Sequence, residues 1–251
     1  MPLWKEYAEL RPDELEELVR QSPVAYWPLG LLEHHGWHLP IGYDGIKAQR
    51  LCQRLAERTG GLILPTMWWG GGGGHDVFKW SHYQQPEATA AILSDTCRQL
   101  AAFGLQAVVL LAGHYPWQSL LEREMPALEQ ELSSVRFFWG TEMSICGDAV
   151  KLQGDHAAYE ETSFGLALFP ELVRQDALTS GRGEDGIWPK DEAPPADKRH
   201  PHVDFDPDSP LFAQMGRDAR QATAAHGEEA LTPVIDRLAE AINASINEGQ
   251  D

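Results

Sequence analysis

The stretch AVVLLAG at residues 107–113 carries no charge and no hydrogen-bonding side chain. Turn residues bound it on both sides, so it has the character of a strand buried on both faces. Such strands belong to parallel sheets that helices cover above and below. Three more short, mostly apolar runs read as strands: VAYWPLG (24–30), LILP (62–65) and VRFFWG (135–140). Between and around them the periodicity predicts helices over Pro12–Gln21, Gly45–Arg58, Pro86–Phe103, Pro116–Leu132 and Glu160–Phe169. A final amphipathic helix is expected from Leu211 to Asn247, with a break near Gly227. Pro86 suits a first helical turn, and Gly60-Gly61 and Gly104 suit helix ends. Strands alternating with helices predict an α/β fold around a doubly wound, mostly parallel sheet. Residues 179–210 break the pattern with a run rich in Pro, Asp and Gly, and a loop of that length is usually functional or disordered.

Composition removes several function classes. The formal net charge is −18, which argues against nucleic acid as a partner, because phosphate binding needs clustered Lys and Arg. No apolar run is long enough to span a bilayer. The opening residues, MPLWKEYAELRPDELEELVR, are acidic and amphipathic, unlike a secretory signal. A cytoplasmic protein with no membrane partner is expected. Cys52, Cys97 and Cys146 are odd in number and widely spaced, and are expected to be buried reduced thiols.

In parallel sheets, ligand sites lie beyond the carboxyl ends of the strands. Three polar clusters fall there: GLLEHHGWHLPIGYD (30–44), GHYPWQ (113–118) and GDHAAYEETS (154–163). Imidazole and carboxylate together suit Zn, Mn or Fe in hydrolytic sites. In extended backbone Glu33 and His35 share a face, and His34 points away. Asp44 is a carboxylate able to bridge two cations, and His114 supplies a ligand from a neighbouring strand. Asp155 and His156 offer a proton-transfer pair. His34 and His38 are expected to be structural, and Glu160 to be a solvated helix residue. Gly70–Gly74 either brings backbone close to a ligand or forms a mobile loop; no Lys-Ser/Thr follows it, so it is not a P-loop.

These segments resemble the creatininase (creatinine amidohydrolase) superfamily. PLGLLEHHGWHLPIGYD is similar to the family's P-x-G-x-x-E-Q-H-G-x-H-L-P-x-x-x-D signature, LLAGHY to its N-G-H strand end, and GDHAAYEETSFGLALFPELV to its H-A-x-x-x-E-T-S segment. The resemblance implies a single three-layer α/β/α domain over residues 1–251, assembled as a homo-oligomer, often a hexamer. It also implies one or two divalent metals per subunit. Glu33, His35, Asp44 and His114 would then be metal ligands, with Asp44 bridging and Glu161 a further ligand. His156 would be the general acid/base, and Asp155 its acidic neighbour.

The chain also departs from the family pattern. Creatininases carry a glutamate ligand where this chain has Pro116, so Glu161 is the expected substitute if a second ion is bound. They also place Trp-Asp where this chain has Leu152-Gln153, which argues against creatinine as substrate. Trp68, Trp69, Trp80, Tyr83, Tyr115 and Trp117 are expected to form an aromatic pocket wall, with Tyr115, Trp117, Trp69 and His75 contacting a small-molecule substrate. The expected activity is hydrolysis of a C–N amide bond in a small cyclic or formamide-like substrate, by attack of metal-bound hydroxide. The alternatives are ring-opening C–C hydrolysis of a keto-inositol (inosose-type) substrate, a metal-dependent isomerase, and a non-catalytic metal-binding scaffold.

Overall fold

The structure, a computed structural model, describes residues 3–248. Its centre is a five-stranded sheet in the order β1-β3-β2-β4-β5, with every pair parallel. The strands are β1 (Trp4–Glu6), β2 (Val24–Leu29), β3 (Gly61–Ile63), β4 (Ala107–Ala112) and β5 (Arg136–Thr141). The helices are α1 (Pro12–Gln21), α2 (Tyr43–Thr59), α3 (Pro86–Ala102), α4 (Trp117–Glu131), α5 (Tyr159–Leu168) and α6 (Ala224–Glu248).

Strand periodicity builds the layers. On one face, Ala25, Trp27 and Leu29 of β2 and Val108 and Leu110 of β4 pack with Leu18 of α1, Leu93 of α3 and Leu121 of α4. On the other, Val24, Tyr26, Val109 and Leu111 pack with Leu51 of α2, Phe164 of α5, and Leu231, Ile235 and Leu238 of α6. Both faces of β2 and β4 are therefore buried, which is why neither run needs a charged residue. β2 and β4 pair in full register from Val24↔Ala107 to Leu29↔Ala112, so the loops after them leave the sheet from one rim.

Some expectations need correction. β1 lies outside the predicted strands: it is only three residues long, WKE, and too short for periodicity to register. The helix expected from Leu211 is not formed before Ala224. Residues 211–223 instead turn tightly, with positive φ at Ala213 (63°) and Gly216 (143°), and Met215 pairs its backbone with His156. Gly227 does not break α6. An added Cβ there would lie 2.7 Å from the Ser163 carbonyl carbon, so this glycine lets α6 approach α5. The Pro/Asp-rich stretch packs Ile187, Trp188 and Val203 onto Phe78 and Phe212 in a separate small apolar cluster beside the site.

Candidate active site

The three clusters converge on one cavity of about 460 Å³ at the carboxyl end of the sheet. Glu33 and His35 come from the loop after β2, and Asp44 from the first turn of α2. His114 follows β4, and Glu161 stands in the first turn of α5. Close backbone packing brings these elements together. A Cβ on Gly113 would overlap the Asp44 carbonyl oxygen, and one on Gly30 would lie 2.6 Å from the Gly45 nitrogen. Only glycine lets the end of β4 and the start of α2 meet.

Hydrogen bonds to backbone carbonyls set the tautomer of three histidines, since a carbonyl only accepts. His35 Nδ1 lies 3.1 Å from the Glu33 carbonyl, His114 Nε2 lies 3.0 Å from the Gly72 carbonyl, and His156 Nε2 lies 3.0 Å from the His34 carbonyl. Each donates that N–H, so in the neutral ring the lone pair is on the other nitrogen, which faces carboxylates: Asp44 for His35, Glu33 and Asp44 for His114, Glu33 for His156. Such outer hydrogen bonds fix the orientation of metal-binding histidines. The Gly70–Gly74 loop thus has a structural role through Gly72, and Gly73 and Gly74 line the cavity.

Asp44 stands between two lobes. Its Oδ1 is 3.2 Å from His35 Nε2, and its Oδ2 is 3.3 Å from His114 Nδ1. Glu33 Oε2 completes the first lobe at 3.1 Å from His114 Nδ1, and Glu161 Oε2 completes the second at 3.7 Å from His35 Nε2. All five side chains are buried. Imidazole lone pairs facing carboxylate lone pairs at this range need positive charge between them. A proton supplies it in the protein alone. Burial pushes His35 and His114 down, but the surrounding carboxylates outweigh it and raise them to about 9 and about 10. A divalent cation satisfies the same donors. Glu33 Oε2, His35 Nε2 and Asp44 Oδ2 are buried with no hydrogen-bond partner among the described residues, and both lobes have the donor set of a metal site.

His156 sits above the lobes, its Nδ1 4.0 Å from Glu33 Oε2. Burial, reinforced by His35, holds it well below its ordinary value, so it is neutral. His75 stacks on it with ring centres 3.6 Å apart, and burial holds His75 down at about 2. Asp155 lies on the cavity wall, but its carboxylate accepts the Glu160 and Glu161 N–H groups at 2.6 and 3.0 Å. It caps α5 rather than bonding to His156. Burial raises it to about 6 against those N–H bonds.

The aromatic wall is not what the structure shows. Of the six aromatics expected there, Tyr115 lines the cavity. Trp117 is buried in the core behind it and donates its indole N–H to the Gly30 carbonyl at 3.0 Å. Trp69 and Trp80 are exposed (47% and 62%), and Trp68 packs against Gly42 and Gly45. Tyr83 donates its hydroxyl to Glu33 from outside the cavity lining. The wall facing the ligand set is formed instead by His75, His200 and Met215 with Tyr115. Glu160 is not solvated either: it is buried and accepts the Gly154 N–H. His38 has the structural role expected of it, bonding to Thr162 at 2.7 Å.

Sequence reasoning missed Lys47 and Glu142. Lys47 is fully buried and donates to Glu142 Oε1 at 2.6 Å and Glu161 Oε1 at 3.2 Å. Tyr115 also donates to Glu142, at 3.1 Å. Both had a signal. Lys47 falls one turn after Asp44 on the apolar face of α2, and Glu142 is the first residue past β5.

Comparison with known proteins gives a consistent picture. The profile of the creatininase family, described as creatinine amidohydrolase, matches residues 8–242. Creatinine amidohydrolase of Pseudomonas putida is 27% identical over 198 residues, 70% of this chain and 73% of that protein. The mycofactocin precursor peptide peptidase of Mycobacterium ulcerans is 28% identical over 183 residues, 69% of each chain. The 3-dehydro-scyllo-inosose hydrolase of Thermotoga maritima is 22% identical over 178 residues, 65% of this chain and 56% of that protein. A solved structure described as "Creatininase Mn" superposes with a TM-score of 0.71 at 25% identity, covering 97% of this chain and 98% of that one. The match along nearly the whole chain and the shared fold lead to one conclusion: this chain belongs to the creatininase family of hydrolases.

Proposed function

We propose that this chain is a divalent-metal-dependent hydrolase that cleaves a C–N amide bond of a small cyclic or formamide-like substrate. The observation that carries the reading is Asp44, which offers one carboxylate oxygen to His35 and the other to His114. Glu33, Asp44 and His114 would hold one ion, and His35, Asp44 and Glu161 a second. A bound divalent ion, Zn, Mn or Fe, supplies Lewis acidity that polarises a carbonyl and acidifies water.

The protein's own groups supply the rest. His156 is neutral and its Nδ1 lone pair faces the cavity, so it has a site for a proton, and burial makes the protonated ring ready to give that proton up. Having taken it, His156 returns it to the departing nitrogen, which otherwise leaves as a poor anion. The His34 carbonyl holds the ring by its Nε2 proton, and the His75 ring fixes its plane by stacking. Tyr115, His75 and His200 line the space left for substrate, and a cavity of about 460 Å³ suits a small molecule. The amidohydrolase of Pseudomonas putida and the peptidase of Mycobacterium ulcerans, both similar to this chain, support amide cleavage. The Thermotoga relative supports the second reading, ring-opening of a keto-inositol in the same site.

The test is hydrolysis of a panel of cyclic amides, N-formyl compounds and inososes, with Mn²⁺- or Zn²⁺-loaded and chelated protein. Metal-dependent release of amine from an amide is the expected result. Turnover of inososes alone would move the assignment to the second reading, and turnover undiminished by complete chelation would refute metal dependence.

A further inference from the structure

Lys47 takes no part in the proton transfers above, yet it lies within the ligand set. Asp44 and Lys47 stand one turn apart on α2, and both side chains are buried. The ammonium is enclosed by carboxylates and rings: Glu142 Oε1 at 2.6 Å, Glu161 Oε1 at 3.2 Å, and the Tyr115 ring centre at 4.7 Å. Glu161 is therefore divided. One oxygen serves Lys47, and the other faces His35 and accepts the Ala157 N–H at 2.8 Å. Glu33 meets no lysine or arginine: among the described residues its Oε1 accepts the uncharged Tyr83 hydroxyl, and its ion-pair partners are histidines alone. Pro116 lies on the same cavity wall and brings no donor that could replace the shared carboxylate.

A fixed positive charge held on a ligand opposes a second positive charge on that ligand. We infer that Lys47 makes the two lobes unequal, so that the Glu33/Asp44/His114 lobe takes its divalent ion tightly and the Glu161 lobe takes one weakly. This inference rests on the metal-site reading proposed above. Lys47 acts here as a positioning and affinity-setting residue, since its ammonium is walled off from the cavity by Tyr115 and Glu161.

The test is calorimetric titration of the chelated protein with Mn²⁺, with elemental analysis after dialysis. The wild type should show two binding steps separated by on the order of 100-fold in Kd. After dialysis it should retain a single ion. Lys47→Met frees Glu161 and should tighten the second step by about tenfold or more. Glu142→Gln leaves Lys47 to Glu161 alone and should weaken that step, the opposite sign. Two ions of equal affinity in the wild type would overturn the inference. So would variants that leave the second step where it was or move it the same way. If Lys47→Met does not fold, the wild-type titration and Glu142→Gln decide the matter. A wild type that takes up no Mn²⁺ would sink the metal-site reading along with the inference, whereas two equal ions would sink the inference alone.

Discussion

Gly113 is the residue through which the sheet meets the ligand set, and substituting alanine there should disable the site without replacing a ligand. The added Cβ would overlap the Asp44 carbonyl oxygen and stand 2.8 Å from its carbonyl carbon. A Cβ rarely comes within ~3.0 Å of a non-bonded heavy atom, so the end of β4 and the start of α2 must part by about 1 Å or more. Both sides are backbone, held by the Gly113 N–H to Leu29 at 2.8 Å and by the first turn of α2, so neither yields by a change of rotamer. Overpacking of this kind costs about 1–3 kcal/mol. At about 2–4 °C per kcal/mol for a chain of this size, that is a loss of roughly 2–12 °C in Tm. The functional cost should exceed the stability cost, because a misplacement near 1 Å in a catalytic set can cost about 100-fold in rate. Calorimetry and metal analysis on the same Gly113→Ala sample test both parts. The folded variant should retain less metal than wild type. A variant with wild-type Tm and full metal retention would show that the contact has slack, and the reasoning from close backbone packing would fail.

Metal removal should lower Tm, because an ion that binds the folded state stabilises it: at 100 times Kd by about 2.7 kcal/mol, read as a Tm difference between loaded and chelated protein. In the chelated protein His35 and His114 are raised to about 9 and about 10, above the ordinary histidine value of 6.5. The stability they contribute is complete below pH 6.5 and is lost as pH rises through 9 to 10, so the Tm of chelated protein should fall across that window relative to Mn²⁺-loaded protein. Parallel curves would refute this. Replacing His156 with alanine should lower turnover by about 10²–10⁴-fold with metal content unchanged, and loss of metal in this variant would assign His156 to the ligand set instead.

How much of this was legible in the sequence follows from the physics of each signal. The central strands β2 and β4 are buried on both faces, so their apolar runs mark them out. The ligand set follows, because Glu33, Asp44 and His114 stand just beyond those strands or at the next helix start. Where a role depends on a distant partner, the sequence can signal burial, as for Lys47 on the apolar face of α2, but not the partner. Trp117 is the first residue of α4 near the site, but its ring is part of the core cluster, a choice made by packing and not by spacing. Lys47 gains its partners from the end of β5 and from α5, far away in the chain. The expected C-terminal helix is too long because residues 211–223 have helical composition, and the Met215 pairing that diverts them is a tertiary contact.

That pairing has a mechanical consequence. The His156 backbone N–H donates to the Met215 carbonyl at 2.8 Å, and the Met215 N–H returns a bond to the His156 carbonyl at 2.9 Å. Next to it, the Tyr159 N–H reaches the Arg217 carbonyl at 2.9 Å. The backbone of the proton-handling residue is thus clamped to the turn that follows the long Pro/Asp-rich stretch, whose His200 lines the cavity. Met215 lines the same cavity, so one residue both shapes the substrate space and holds the His156 backbone. Because these bonds are made by backbone alone, side-chain substitutions along the stretch can change the cavity lining while the imidazole keeps its station.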